Sequence, residues 1–239
     1  GPLTLILPKK NTVPDEVTGG LSTVGIRIPN HPTTLAIIQS IDVPLAAPSA
    51  NQFGKTSPTT PEHVLFDFQD AVPVVDGGEC SVGIESTILD LSVHPPAIRR
   101  LGAISQEDLQ QFIPEFGQSH TPTSGTHEAH YAPSTALLLS NDVSSDRRRL
   151  EAEGLSVATI VFEDSIDYAQ SLYAELRRLD QTGVDILVAA VPKDDAMGQA
   201  VLPLSHFAKY ANASLHKRKS IDTKREKKSL KQLEASLSL

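Results

Sequence analysis

The segment SANQFGKT, residues 49–56, differs at one position from a phosphate-binding P-loop. The P-loop pattern is Gly-x4-Gly-Lys-[Ser/Thr], and Ser49 stands where its first glycine should be. A P-loop leads directly into a helix, whereas Pro58 delays the helix here. We therefore expect another kind of loop, in which hydroxyl, amide and backbone N–H groups surround an anion, although an ordinary polar connection remains an alternative. The candidate side chains are Ser49, Asn51 and Ser57.

Two further groups of polar residues lie on predicted strands. Thr23 and Arg27 alternate along TVGIRI and so face the same side. Arg27 is either exposed to solvent or binds a carboxylate or phosphate with its two-pronged guanidinium group. Ser86 begins the strand ESTILDL. In AIRRL the neighbours Arg99 and Arg100 must face opposite sides, so one can be structural while the other enters a site.

The remaining candidates favour no metal or redox chemistry. His127 and His130 in HEAHYAP could bind a metal, but linker residues that pack on a neighbouring domain are the favoured interpretation. Cys80 is the single cysteine, so it forms no internal disulfide. It also has no adjacent base, and we interpret it as structural. We expect no zinc site.

Composition indicates a folded protein of 239 residues, 39% of them hydrophobic. No run of 18 apolar residues occurs, and the first residues do not form a signal peptide, so we expect a cytoplasmic protein without membrane contact. The net charge is −8, but residues 217–239 carry +5, which leaves −13 on the rest. This tail is predicted to be a solvated helix or a disordered extension, with weak RNA contact as an alternative.

The pattern of elements predicts an α/β protein. Residues 1–114 contain predicted strands and helices, and Thr59 and Glu62 have the spacing of a capping box for the helix near Pro61. An apolar first strand without a preceding element suggests that the amino-terminal part of a larger domain is absent. The predicted strands are LTLIL, TVGIRI, PLAAP, AVPVVD, ESTILDL and AIRRL, and the predicted helices are HPTTLAIIQSI, the one near Pro61 and SQEDLQQFI.

A second domain is predicted after a linker. Residues 115–134 lack apolar periodicity and are rich in Gly, Pro, Ser, Thr and His. Residues 135–215 then read as a small Rossmann-like parallel α/β domain, with strands TALLL, ATIVFE and DILVAAV separated by helices at 143–153 and 167–182. Residues 216–239 form the basic tail.

The ordered set of motifs resembles a known family. GPLTLIL, STVGIRIPNHP, APSANQFGKTSPTTPEHV, DGGECSVGIESTILDL and IRRLGAIS are similar to the second half of a YrdC-type domain, which has a twisted mixed sheet with helices. SGTHEAHYAP followed by a small α/β domain resembles the two-domain members. These are threonylcarbamoyl-AMP synthases, nucleotidyltransferases that act in the formation of threonylcarbamoyladenosine in tRNA.

The resemblance implies a reaction and a set of contacts. L-threonine and bicarbonate give a carbamate that attacks the α-phosphate of ATP, with Mg²⁺ accompanying ATP, and a downstream tRNA threonylcarbamoyl transferase machinery uses the product. No general base is evident, so catalysis is expected to act through positioning and charge stabilisation. The implied threonine contacts are Arg27, Ala47 and Ser86. The implied ATP contacts are Thr23, Ser49, Asn51, Ser57, Arg100 and Tyr131.

The sequence also departs from the family pattern. The family's amino-terminal Thr-x-Tyr-Gly strand and Lys-x-Arg phosphate motif are absent, so we expect the chain alone not to complete the reaction. His127, Glu128 and Ala129 replace the basic and aromatic residues that many family linkers carry, and the family's last helix is not recognisable after about residue 201. The alternative functions are an RNA-binding module and an inactive nucleotide-binding remnant.

Overall fold

The computed structural model describes residues 1–120 and 133–201, which form two β-sheets with flanking helices. The elements of the first part are β1 (Leu3–Pro8), α1 (Asp15–Thr18), β2 (Thr23–Ile26), α2 (Pro32–Ile41), α3 (Pro61–Phe68) with a 3-10 turn (Gln69–Ala71), β3 (Thr87–Asp90), β4 (Ala97–Arg100) and α4 (Gln106–Gln110). Those of the second part are β5 (Ala136–Ser140), α5 (Val143–Ala152), β6 (Val157–Ile160), α6 (Ser165–Asp180), β7 (Ile186–Ala190) and α7 (Ala196–Val201).

The first sheet is mixed, with the strand order β2-β1-β3-β4. Strand β1 lies inside the sheet, antiparallel to β2 and parallel to β3, and β4 runs antiparallel to β3. The apolar strand β1 therefore has two neighbours among the described residues. The mixed α/β fold predicted from the sequence is confirmed.

Two predicted strands and one predicted cap are wrong. PLAAP and AVPVVD, at 44–48 and 71–76, contain no strand, because neither segment has a hydrogen-bonded strand partner in the described chain. Thr60 occupies the N-cap position of α3 without a side-chain capping hydrogen bond, and Thr59 contacts His63 through its N–H and its hydroxyl, so the predicted capping box does not form.

The second sheet is parallel, in the order β5-β7-β6, as the alternation of strands and helices predicts. The central strand β7 is almost fully buried. The longest helix, α6, packs against this sheet with one apolar face that includes Leu172 and Leu176. The side chain of Asp164 caps its first turn by accepting from two backbone N–H groups.

The first part of the chain buries less apolar surface than the second. Helices α2 and α3 contain no buried residue, and Ile28, Phe53, Phe66 and Val75 are each more than 60% exposed. In soluble proteins an apolar surface of this extent is normally covered by another element or partner. None of the described helices is both long and apolar enough to cross a membrane.

Candidate nucleotide and amino-acid site

One face of the first sheet carries a glycine, two hydroxyl side chains and an arginine, one on each of the four strands or directly next to it. The strand register places Gly25, Thr4 and Ser86 on the face that also carries Arg100. The Thr4 and Ser86 hydroxyl oxygens are 2.8 Å apart. Arg100 donates to Ser86 twice, from Nε to the backbone carbonyl at 3.0 Å and from Nη2 to the hydroxyl at 3.2 Å. Hydroxyls and a guanidinium group on one face suit an anionic ligand.

Close backbone packing holds Ser86 in place. The hydroxyl of its neighbour Thr87, which is fully buried, donates to the Ile104 carbonyl at 2.7 Å and accepts from the Ile104 N–H at 3.1 Å. A Cβ atom on Gly102 would lie 2.4 Å from the Glu85 carbonyl oxygen. Only a residue without a side chain lets the chain after β4 pass this close to Ser86.

The loop before α3 is a second group of polar residues. The Asn51 side chain donates to the carbonyls of Gln52 at 2.9 Å and Lys55 at 3.0 Å, which closes the turn. Ser57 is buried, and its hydroxyl donates to Glu85 Oε1 at 2.7 Å. Glu85 directly precedes Ser86, so this hydrogen bond ties the loop to the sheet face.

The other predicted site residues lie on or just beyond β2, in the loop between α2 and α3, or outside the described residues. Thr23 is half-buried on β2, and Arg27, exposed just beyond β2, donates from Nε to the Gly1 carbonyl at 3.2 Å. Ala47 and Ser49 are exposed in the loop between α2 and α3. Tyr131, the histidines at 127 and 130, and the basic tail lie outside the described residues.

The two neighbouring arginines of β4 have different partners, but simple strand alternation does not account for this, because a register shift between Ile88 and Leu89 interrupts the alternation at this point. Arg99 donates to the Ser119 carbonyl, whereas Arg100 binds Ser86. Ser119 in turn donates to the fully buried Asp90. Arg99 therefore belongs to a hydrogen-bond network with Ser119 and Asp90, and Arg100 belongs to the candidate site through Ser86.

Two titratable groups near the site have shifted pKa values. Burial, followed by the charge of Arg177, lowers the pKa of His63, whose Nδ1 accepts the Thr59 N–H at 3.1 Å. Burial, followed by the charge of Glu79, raises the pKa of the Cys80 thiol, while the charge of Arg27 opposes the shift. A thiol with a raised pKa is a poor nucleophile, which fits the structural interpretation of Cys80.

Several residues that the sequence did not single out contact the candidate site. Thr4 contacts Ser86, and Glu85 contacts Ser57. Glu85 lies within GIESTILD, a stretch that already resembled the family. From the second part of the chain, Arg177 on α6 contacts the loop at Ser57, and Tyr173 on the same helix contacts Glu85. The sequence feature that could have pointed to them is a tyrosine and an arginine on the mainly apolar, buried face of α6.

The arrangement favours binding and orientation of anionic substrates. Hydroxyl groups and Arg100 can contact phosphate or carboxylate oxygens, and among the described residues no group of three His, Cys, Asp or Glu side chains is arranged to hold a metal ion. Fold and site thus define an α/β protein with a candidate anion-binding site on a sheet face.

Comparisons with known proteins identify the family. The family described as Sua5_yciO_yrdC, telomere recombination, matches residues 1–102, and the family described as threonylcarbamoyl-AMP synthase, C-terminal domain, matches residues 104–202. Threonylcarbamoyl-AMP synthases of Pyrococcus abyssi (strain GE5 / Orsay) and Bacillus subtilis (strain 168) are 36% and 35% identical to the chain. Each alignment covers 84% of this chain and 68% of the relative.

A solved structure agrees with these matches. The crystal structure of P. abyssi Sua5 complexed with L-threonine superposes with a TM-score of 0.79 at 33% identity, over 88% of this chain and 71% of that one. The chain belongs to the threonylcarbamoyl-AMP synthase family, with a YrdC domain and a Sua5 C-terminal domain. By homology it is a nucleotidyltransferase of the tRNA threonylcarbamoyladenosine pathway.

Proposed function

We propose that the sheet face around Ser86 binds L-threonine and that the adjacent loop binds the phosphates of MgATP. The carrying observation is the pair of hydrogen bonds from Arg100 to Ser86, next to the Thr4 hydroxyl. This cluster presents a cation and hydroxyl groups at the junction between the sheet face and the loop. The proposed threonine contacts are Arg27, Ala47 and Ser86, and the proposed ATP contacts are Thr23, Ser49, Asn51, Ser57, Arg100 and Tyr131.

The proposed reaction proceeds in two steps. The threonine amine attacks the carbon of bicarbonate, and water leaves as the carbamate forms. A carbamate oxygen then attacks the α-phosphorus of ATP, the bond to the β-phosphate breaks, and pyrophosphate carries away the electron pair. Magnesium enters with ATP as part of the substrate, because the phosphates and water satisfy most of its octahedral coordination. The product would then pass to a transferase that acts on tRNA in the cytoplasm.

The chain's own residues contribute binding and orientation. Ser86 Oγ accepts from Arg100, so the proton of Ser86 is available to Thr4 or to a substrate oxygen. The hydroxyl proton of Ser57 is held by Glu85, so this hydroxyl must rotate before it can donate to a phosphate. The Ser57 backbone N–H needs no such rotation, since it donates to no group in the part of the chain that the structure describes. Fixed donors of this kind stabilise developing negative charge without reorganisation.

Titration calorimetry with the chain tests the proposed contacts. The ligands are L-threonine and α,β-methylene-ATP with Mg²⁺, an analogue whose α–β linkage cannot be cleaved. We expect Ser86→Ala to weaken threonine binding about tenfold, because a hydrogen bond to a charged ligand is lost. Arg100→Lys should weaken binding of the analogue. Ser40→Ala, which alters an exposed hydroxyl at the end of α2, is the matched control. Unchanged threonine binding by Ser86→Ala would exclude the proposed threonine contact.

The RNA-binding alternative rests on the likeness of the YrdC fold to double-stranded RNA binders and on the basic tail, and the tail lies outside the described residues. The body of the chain is strongly acidic, which opposes nonspecific binding to nucleic acid. No contact among the described residues favours RNA over a nucleotide, so we do not propose this second function.

A further inference from the structure

Helix α6 of the second domain contacts the candidate nucleotide loop with one face. Gln170, Tyr173, Arg177 and Asp180 are spaced by three, four and three residues, so they lie along the same side of the helix. All four positions face the first domain or the chain segment that precedes β5. This is a continuous contact rather than a single point.

Arg177 makes the central contact. Its Nε donates to the Ser57 carbonyl at 3.1 Å, and its Nη2 donates to the Thr56 carbonyl at 2.5 Å. The same guanidinium group forms a two-pronged ion pair with Asp67 of α3, with distances of 3.2 and 2.6 Å. The side chains of this pair are only 9% and 10% exposed. Arg177 therefore connects α6, the loop and α3 in a largely dry environment.

The contact fixes the direction of one backbone donor. In a trans peptide the carbonyl of Thr56 and the N–H of Ser57 point in opposite directions within one plane. Because Arg177 holds that carbonyl, the Ser57 N–H must point away from α6. This N–H has no partner in the described chain, and Ser57 lies in the segment proposed to contact phosphate. An N–H held in this way is a preorganised phosphate donor.

Tyr173 makes a second connection through Glu85. The Tyr173 hydroxyl donates to Glu85 Oε2 at 2.9 Å, and the other carboxylate oxygen accepts from Ser57 at 2.7 Å. Glu85 thus bridges α6 and the loop, one residue before Ser86. Next to it, a Cβ atom on Gly83 would lie 2.3 Å from the Gln170 carbonyl oxygen, so the two backbones are in direct contact. Ile84 packs against the hydrophobic core of the second domain.

The carboxyl end of α6 adds a third connection. Asp180 accepts from the backbone N–H groups of Ser134 and Thr135, at 2.7 and 2.6 Å. The Ser134 hydroxyl accepts from Lys55 Nζ at 2.8 Å. Lys55, the lysine of the near-P-loop sequence, therefore contacts the end of the linker.

We propose that Arg177 and Tyr173 are positioning residues for the nucleotide site, and that the second domain sets the affinity for ATP by holding residues 55–59. This rests on the proposed function, since it takes Ser57 as a phosphate contact. Neither residue needs to touch the nucleotide. Their effect passes through the Thr56 carbonyl and the Glu85 carboxylate, and it should fall on ATP far more than on threonine.

The variants are chosen so that the chain still folds. Tyr173→Phe removes one hydroxyl and leaves the packing of the ring. Arg177→Lys keeps the positive charge beside Asp67 but cannot reach both carbonyls and both carboxylate oxygens at once. Arg178→Gln is the matched control, because Arg178 is the next residue on α6 and its side chain is 62% exposed. Among the described residues, its side chain pairs only with Glu175 of the same helix.

Two measurements decide the proposal. Calorimetry should show that Tyr173→Phe and Arg177→Lys each weaken binding of α,β-methylene-ATP about tenfold, because charge-assisted hydrogen bonds that hold the loop are lost. Binding of threonine should change less than about twofold, as should both affinities in Arg178→Gln. Hydrogen exchange of peptides that cover residues 52–60 should be faster in the first two variants and unchanged in the control.

The possible results separate this proposal from the proposed function. Equal weakening of ATP and threonine binding, or unchanged ATP binding, would overturn the positioning role even if the melting temperature fell. If the unmodified chain binds no ATP analogue, the proposed function itself fails. The exchange measurement then still decides whether α6 holds the loop, and unchanged exchange in both variants would overturn that as well.

Discussion

Substitution of Gly102 by alanine gives a sharp test of how the backbone positions Ser86. The new Cβ would lie 2.4 Å from the Glu85 carbonyl oxygen and 2.5 Å from the Thr87 backbone nitrogen, whereas ordinary contacts of a Cβ begin at 3.4 Å. The start of β3 must therefore move by about 1 Å relative to the chain after β4, because both clashing atoms belong to the backbone and cannot turn away. Ser86 lies between those two atoms and must move with them.

Both stability and binding should respond. Overpacking of this kind costs about 1 to 3 kcal/mol of unfolding free energy. A displacement of about 1 Å at a binding group can cost on the order of 100-fold in function, so we expect threonine affinity to fall by at least tenfold. The assays are chemical denaturation and calorimetric titration with L-threonine. The control is Gly198→Ala, whose Cβ would lie 1.8 Å from the Lys193 carbonyl oxygen, away from the site.

The control separates a local effect from general destabilisation. Gly198→Ala should lower stability without changing threonine affinity in the folded fraction. If Gly102→Ala binds threonine as tightly as the unmodified chain, or if both variants lose affinity equally, then the backbone contact at Gly102 does not position a threonine site.

Three further predictions follow from the contacts and pKa shifts. The pKa of His63 is lowered in the folded state from its ordinary 6.5, by burial and Arg177 against the opposing charges of Asp67, Glu62 and Glu79. The folded state thus binds fewer protons, and the stability contributed by neutral His63 should be lost as pH falls from 6.5 through the lower folded pKa. His63→Asn, whose side-chain oxygen can still accept from Thr59, should show a flatter profile of melting temperature against pH, and an identical profile would contradict this. Because the pKa of the Cys80 thiol is raised, iodoacetamide should alkylate Cys80 more slowly than it alkylates the thiol of glutathione at neutral pH. An equal or faster rate at Cys80 would contradict the raised pKa. Finally, the Ser105 hydroxyl accepts from the Asp108 N–H in a complete capping box of α4. Ser105→Ala should therefore lower the free energy of unfolding, measured by urea denaturation, by about 1 kcal/mol. No measurable change would show that the stability of the protein does not depend on this cap.

Local patterns predicted much of the fold. Alternating or apolar runs identified β1 to β7, helical periodicity identified α2, α5 and α6, and Ser105 with Asp108 forms the cap of the predicted short helix. These features depend on neighbours within a few residues, which the sequence displays directly.

Other features depend on contacts between distant residues. PLAAP and AVPVVD have strand-like composition, but a strand forms only where a partner strand is available. Thr4 joins the site because β1 pairs in parallel with β3, more than 80 residues away. Arg177 contacts the loop across about 120 residues, and a single sequence carries no sign of that pairing beyond a charged residue on an apolar helix face.

The central claim is that this sheet face and loop serve threonylcarbamoyl-AMP synthesis. The most direct test supplies ¹³C-bicarbonate, L-threonine and MgATP, with the family's amino-terminal half joined in front of the chain to provide the Lys-x-Arg motif. Mass spectrometry should detect ¹³C-labelled threonylcarbamoyl-AMP only when all three substrates are present, with Ser86→Ala and Arg100→Lys both reducing its formation. Pyrophosphate release that does not depend on threonine, or product formation that neither substitution reduces, would contradict the account.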